Sequence, residues 1–165
     1  MNFQFYVEKL QNSGVFKNFM KKHPDAFFCS GFFIFDKSEK VENKQHFDYY
    51  LPKENKIESI QLENMQFVPI ENFGGLPEKL SFDLDFDFHE VEKMIEKKME
   101  ERGIKNKIQK MLFSLQNIKG KDFLVGTVFI SMLGMIKVNL DLEKMEITEF
   151  EKKSLLDIVK VSKKK

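Results

Sequence analysis

Tryptophan is missing from this 165-residue chain, and cysteine and arginine occur once each, as Cys29 and Arg102. A lone cysteine forms no intramolecular disulfide, so packing alone must hold the fold, and a reducing cytosol suits it. With one arginine among 27 basic residues, two-pronged gripping of phosphates or base edges has almost no donor, because lysine offers a solvated point charge instead. Specific nucleic-acid binding is therefore not expected. Charge of one sign is also scarce: 27 basic against 26 acidic residues give a net charge of +1, too little for a strong long-range field. Long apolar runs are absent too. The longest uncharged stretch, Phe123 to Ile136, is 14 residues and includes Gly126, Thr127, Ser131 and Gly134, whereas a spanning helix needs roughly 18 or more. It reads as a buried strand or strand pair, and no membrane span is expected. The segment Met1–Lys9 has no basic region leading into an apolar run, so no export signal is read and a cytoplasmic location is expected.

Phenylalanine is abundant instead, with 19 copies in a chain that is 42% hydrophobic. Phe buries a large apolar area without a polar handle, which favours plain core filling. The length suits one domain, or two small halves sharing a core.

Phe3, Tyr6, Val7 and Leu10 recur at helical spacing, Phe16, Phe19 and Met20 extend the stripe, and Ser13-Gly14 restarts or kinks it. His23-Pro24 stops it, because the residue before proline avoids helical angles. Ala26–Phe35 reads as a strand apolar on both faces, with Phe27, Cys29, Phe33 and Phe35 on one and Ala26, Phe28, Phe32 and Ile34 on the other. Strands follow at Gln45–Leu51 and Lys56–Leu62, with an edge piece at Met65–Ile70. Leu80–Phe88 alternates with period two, which predicts a half-buried strand with Asp83, Asp85 and Asp87 facing water. Asp87 and Glu90 then open a helix carrying Val91, Met94, Ile95, Lys98, Met99 and Arg102 on one side, and Gly103 closes it. Further strands are expected at Ile108–Ile118, Lys121–Leu133, Met135–Leu142 and Met145–Phe150.

A helix followed by antiparallel strands thus occurs twice, which predicts an α+β fold built by duplication, with helices packed on antiparallel sheet. The halves are residues 1–75 and 76–153, joined near Asn72-Phe73-Gly74-Gly75-Leu76-Pro77, with a frayed basic tail at 154–165. Tyr50–Ile60 and Asn139–Glu149 match as hairpins with acidic-basic turns. The tandem order, and above all Asp122–Glu149 with its Ile136-Lys137-Val138-Asn139-Leu140-Asp141 strand, resembles PepSY-like domains. That resemblance implies cystatin-like helix-over-sheet modules with a non-catalytic binding or inhibitory role. Relatives of that kind commonly place glycine in the turn after the aspartate, where this chain has Glu143-Lys144.

Three constellations carry possible chemistry. Asp83, Asp85, Asp87 and His89 form an acidic ridge, the one candidate for a hard cation. A calcium loop would need glycine where Phe88 stands and glutamate where Met94 stands, so a solvated face plus a helix cap at Asp87 is the plainer reading. His46, Asp48 and Tyr50 share a strand face with no adjacent nucleophile or anion-holding loop. Cys29 sits among Phe27, Phe28, Phe32 and Phe33, where cysteine behaves as a small apolar residue. No phosphate loop or zinc spacing occurs, and no cofactor is expected. The resulting expectation is a protein-binding module, self-association included. A carrier of a small apolar ligand held between helix and curved sheet is the alternative.

Overall fold

The computed structural model describes residues 1–38, 43–71 and 74–154; the expected basic tail lies outside them, save for its first residue, Ser154. Asn2 caps the first helix, its side chain accepting the Gln4 N–H at 2.7 Å, and α1 (Phe3–Gln11) buries Phe3, Tyr6, Val7 and Leu10. Ser13 restarts the chain: its hydroxyl accepts the Phe16 N–H at 3.0 Å and α2 (Gly14–Lys22) buries Phe16 and Phe19. Four strands follow, β1 (Phe27–Asp36), β2 (Lys44–Leu51), β3 (Lys56–Gln61) and β4 (Gln66–Ile70), then α3 (Phe88–Glu101). The chain closes with β5 (Ile108–Ile118), β6 (Lys121–Ile130), β7 (Gly134–Asp141) and β8 (Glu146–Ser154).

All eight strands form one antiparallel sheet in the order β4-β3-β2-β1-β5-β6-β7-β8. The fold class is α+β. Neighbouring strands are joined by hairpins everywhere except at the seam, where β1 pairs with β5 in the register Phe33↔Phe113. The three helices pack on one face. Phe3 of α1 meets Phe33 and Phe47 at 6.0 and 6.1 Å between ring centroids, Phe16 and Phe19 of α2 meet Tyr49, and Phe88 of α3 meets Phe33 and Phe113. Among the described residues, these helix-to-sheet ring contacts all fall on that face, and the opposite one is the uncovered face.

Two expectations need correction. Leu80–Phe88 is not a strand. Its alternation is real, with Leu80, Phe86 and Phe88 buried and Ser81, Asp83 and Asp85 exposed, but an extended chain alternates whatever it pairs with. Its backbone partners are α1 and β1 rather than a ladder: Phe3 N–H bonds Phe86 C=O at 2.9 Å and Leu80 N–H bonds Phe28 C=O at 2.8 Å. Gln4 reaches it as well, its Nε2 donating to the Phe82 and Leu84 carbonyls. The segment is a strap on the helix side, with Phe82 stacked on Phe28 at 4.7 Å.

The faces of β1 are the second correction. A β-bulge between Phe28 and Ser30 inserts Cys29 and breaks the period of two. Phe28 therefore joins Phe33 and Phe35 under the helices, and Phe27 joins Phe32 and Ile34 on the uncovered face.

The turns also depart from the sequence reading. Ser131–Leu133 are a turn rather than the end of β6, and both Met132 and Leu133 take positive φ, +64° and +56°. Side chains at such angles cost roughly 1–2 kcal/mol per residue. In the β7–β8 turn, Asp141 accepts the Glu143 and Lys144 N–H groups at 3.0 and 3.1 Å, and Met145 fills the left-handed position at φ +51°. The same turn occurs earlier. Gln61-Leu62-Glu63-Asn64-Met65 corresponds to Asp141-Leu142-Glu143-Lys144-Met145, with Met65 at φ +53°. Leu62 N–H bonds Gln45 C=O on β2, just as Leu142 N–H bonds Asp122 C=O on β6. The hairpin matching Asn139–Glu149 is thus β3–β4, one hairpin later than the Tyr50–Ile60 match.

Candidate functional site

Asp83, Asp85, Asp87 and His89 all lie on or just beyond the strap, and Asp85 and Asp87 serve separate structural ends. Asp87 caps α3, its Oδ1 accepting the His89 N–H at 2.7 Å, and lies 3.3 Å from the Met1 ammonium. Burial works to raise its carboxyl, but the His89 N–H and the ammonium outweigh it, and the net direction is downward. Asp85 accepts from Asn2 Nδ2 at 3.1 Å. Among the described residues, no three His, Cys, Asp or Glu side chains come together as metal ligands would. Asp87→Ala should destabilise by about 0.5–2 kcal/mol through loss of the cap, and Asp85→Asn by no more than about 0.5 kcal/mol. Urea unfolding of both variants measures the contrast.

The more developed arrangement is on the uncovered face. Across β2, β1, β5, β6 and β7 the register sets His46, Phe32, Ser114, Val125 and Asn139 in one row, and Asp48, Ser30, Gln116 and Phe123 in the next. Asp48 is only 7% exposed. It accepts the Ser30 hydroxyl at 2.6 Å through Oδ2, while His46 Nδ1 lies 2.9 Å from Oδ1. A carboxylate only accepts, so Nδ1 carries the proton. Phe32 stacks on the His46 ring at 5.1 Å and Phe27 packs on Tyr50 at 5.4 Å, whose hydroxyl donates to Asn55 Oδ1 at 2.6 Å. Neighbouring amides are also partnered: Gln61 Nε2 donates to Ser59 Oγ at 3.0 Å and Gln116 Nε2 to Ser114 Oγ at 2.9 Å.

Serine, aspartate and histidine meet here in the wrong order for acyl transfer. The serine hydroxyl is bonded to the carboxylate and not to the imidazole, so the imidazole is not placed to take its proton as acyl transfer requires. Cys29, buried in the bulge, donates its thiol to the Asp48 C=O at 3.4 Å. Burial first, and the Asp48 charge second, push that thiol up to about 12, far from the thiolate a nucleophile requires. Arg102 is committed structurally, donating to Phe150 C=O at 3.3 Å and lying over its ring at 5.2 Å, which ties α3 to β8. Sequence reasoning found His46, Asp48 and Tyr50 but missed Ser30, Ser114 and Val125. Their signal is the cross-strand register, which no local pattern contains.

No protein-family model and no curated protein matches the chain. Among solved structures, it is similar to a protein described as a "putative lipoprotein" from Clostridium difficile 630, at 11% identity and a TM-score of 0.48, over 83% of this chain and 89% of that one. No helix among the described residues is long and apolar enough to cross a membrane.

Proposed function

We propose that this chain is a non-catalytic cytosolic module that binds another protein, a second copy of itself included, through the uncovered face of its sheet. The observation that carries this reading is the way polar groups on that face bond to one another: Ser30 and His46 to Asp48, Gln61 to Ser59, Gln116 to Ser114. Desolvating an unpartnered polar group costs about 1–3 kcal/mol. Groups already satisfied within the face can be covered without that loss. Between them stand half-buried apolar side chains, Phe27, Phe32, Phe123, Val125 and Phe129, which supply the driving force. Aromatic anchors in a desolvated centre are the usual source of binding energy at protein interfaces.

The same reading takes the chain as two PepSY-like modules, residues 1–75 and 76–153. It is supported by the sheet order, which runs outward from the β1–β5 seam in both directions, and by the matching Leu62 and Leu142 turns.

Phe32→Glu tests the face without touching the helix-side core. Affinity for a partner, or for a second copy, should fall by about 30-fold or more. Light scattering over a range of concentrations reads the self-association, and retention of proteins from extract by wild type and variant reads the rest. A wild-type chain that stays monomeric and retains nothing the variant loses would end the reading.

The alternative, a carrier of a small apolar ligand, draws on a cleft of about 340 Å³ between α2 and the β3–β4 edge, bordered by Val15, Phe19 and Phe67. Lys22, His23 and Glu58 also line it, which makes its rim polar and favours the face over the cleft.

A further inference from the structure

Among the described residues, the β6–β7 turn is where two large exposed apolar side chains are neighbours in the chain. Met132 is 87% exposed and Leu133 is 56% exposed, and both hold the positive φ that asparagine or glycine would adopt with less strain. Bulky apolar residues therefore stand where neither local conformation nor the core calls for them. Strain of this kind points to a use outside the fold.

The tip is also braced. Ser131 N–H bonds Lys107 C=O at 2.8 Å, Lys107 N–H bonds Ser131 Oγ at 3.0 Å, and Asn106 Nδ2 bonds Ser131 C=O at 2.8 Å. These bonds pin the turn to the α3–β5 connection, so the two side chains are held out on a fixed base. That connection brings charge to the tip. Lys105 and Lys107 are exposed, and neither has an ion pair among the described residues. Glu96 and Glu100, also exposed, stand further back along α3 in the cleft it forms with this connection, and Lys37 in the same cleft is paired with Glu92.

An apolar tip flanked on one side by two exposed lysines matches the layering of an anionic bilayer, with headgroup charge outside and acyl chains beneath. Lysine suits this role, since a diffuse layer of headgroups asks for point charge and not for a two-pronged grip. We propose that Met132 and Leu133 insert into anionic lipid surfaces while Lys105 and Lys107 contact the headgroups, docking the module at a membrane. Lipid binding at the tip and protein binding at the sheet face are read by different variants and probes, so this proposal does not rest on the one above.

Flotation with phosphatidylcholine vesicles containing phosphatidylserine, against phosphatidylcholine alone, tests it on the full chain. Wild type should float with the anionic vesicles and not the neutral ones, and raised salt should release it. The double variant Met132→Asn/Leu133→Gly should lose about tenfold or more of that binding, with a melting temperature equal to or above wild type because the turn is relieved. Met132→Ser, which keeps the Leu133 backbone, should lose part of the binding. Lys105→Gln/Lys107→Gln should lose at least about fivefold. Wild type that ignores anionic vesicles or binds neutral ones equally well, or a tip variant that binds as wild type does, would overturn the proposal. None of these results alters the reading of the sheet face, whose test uses Phe32→Glu in the absence of lipid.

Discussion

Phe33→Ala should lower the unfolding free energy by about 3–5 kcal/mol, measured by urea or thermal denaturation. Phe33 is fully buried at 0% exposure, and its ring is where three parts of the molecule meet. It lies 6.0 Å from Phe3 and 5.6 Å from Tyr6 on α1, 5.9 Å from Phe47 on β2, and 4.8 Å from Phe88 at the start of α3. Truncation removes the transfer free energy of the ring and leaves a cavity walled by other rings. Rings on two helices and a sheet cannot all move inward at once, which places the cost toward the upper end of the range. Phe32→Ala, one residue along the same strand but on the uncovered face, should cost much less. Equal losses for the two would contradict the assignment of faces after the bulge.

Gly126→Leu should destabilise by about 1–3 kcal/mol or more, although leucine suits a strand better than glycine does. Gly126 is on the helix-side face of β6, paired with Phe113. A Cβ there would stand 2.9 Å from Phe113 Cε1, and the Phe113 ring is itself buried against Phe35 and Phe88. The glycine is the hollow that lets a large ring lie flat on the sheet. The same unfolding measurement reads the effect. Gly14→Leu, where a new Cβ meets nothing within 4 Å, is the matched control and should be far milder.

Local features of this fold were legible in the sequence. The α1 stripe, the Ser13 restart, the His23-Pro24 stop and the Asp87 cap all rest on interactions within a few residues, and composition carries those. Strand positions were also largely readable, because apolar β-branched and aromatic runs between turn signals mark them. The strap at Leu80–Phe88 was not, since period two reports an extended chain with one wet face and says nothing of what lies beneath the dry one. The faces of β1 were misread for a different reason. One inserted residue, Cys29, reverses the sense of every position before it, and nothing local to Phe27-Phe28-Cys29-Ser30 announces a bulge. The candidate site suffered most: Asp48 was visible, but Ser30 is 18 residues away in sequence, and the register that joins them follows from the sheet.

The single non-hairpin pairing in the sheet has a consequence for the order of assembly. Six of the seven neighbouring strand pairs join strands that are consecutive in the chain, and β1–β5 joins distant chain, as in Gly31↔Leu115. Closing a short loop costs less chain entropy than closing a long one, so each four-strand meander can form early and on its own account. The seam, with the strap and the helices that roof it, must come last, once two half-sheets with exposed edges have met. For that interval β1 and β5 are open edges lined with Phe32, Phe33, Leu112 and Phe113, the moment at which this chain is most apt to pair with the wrong copy.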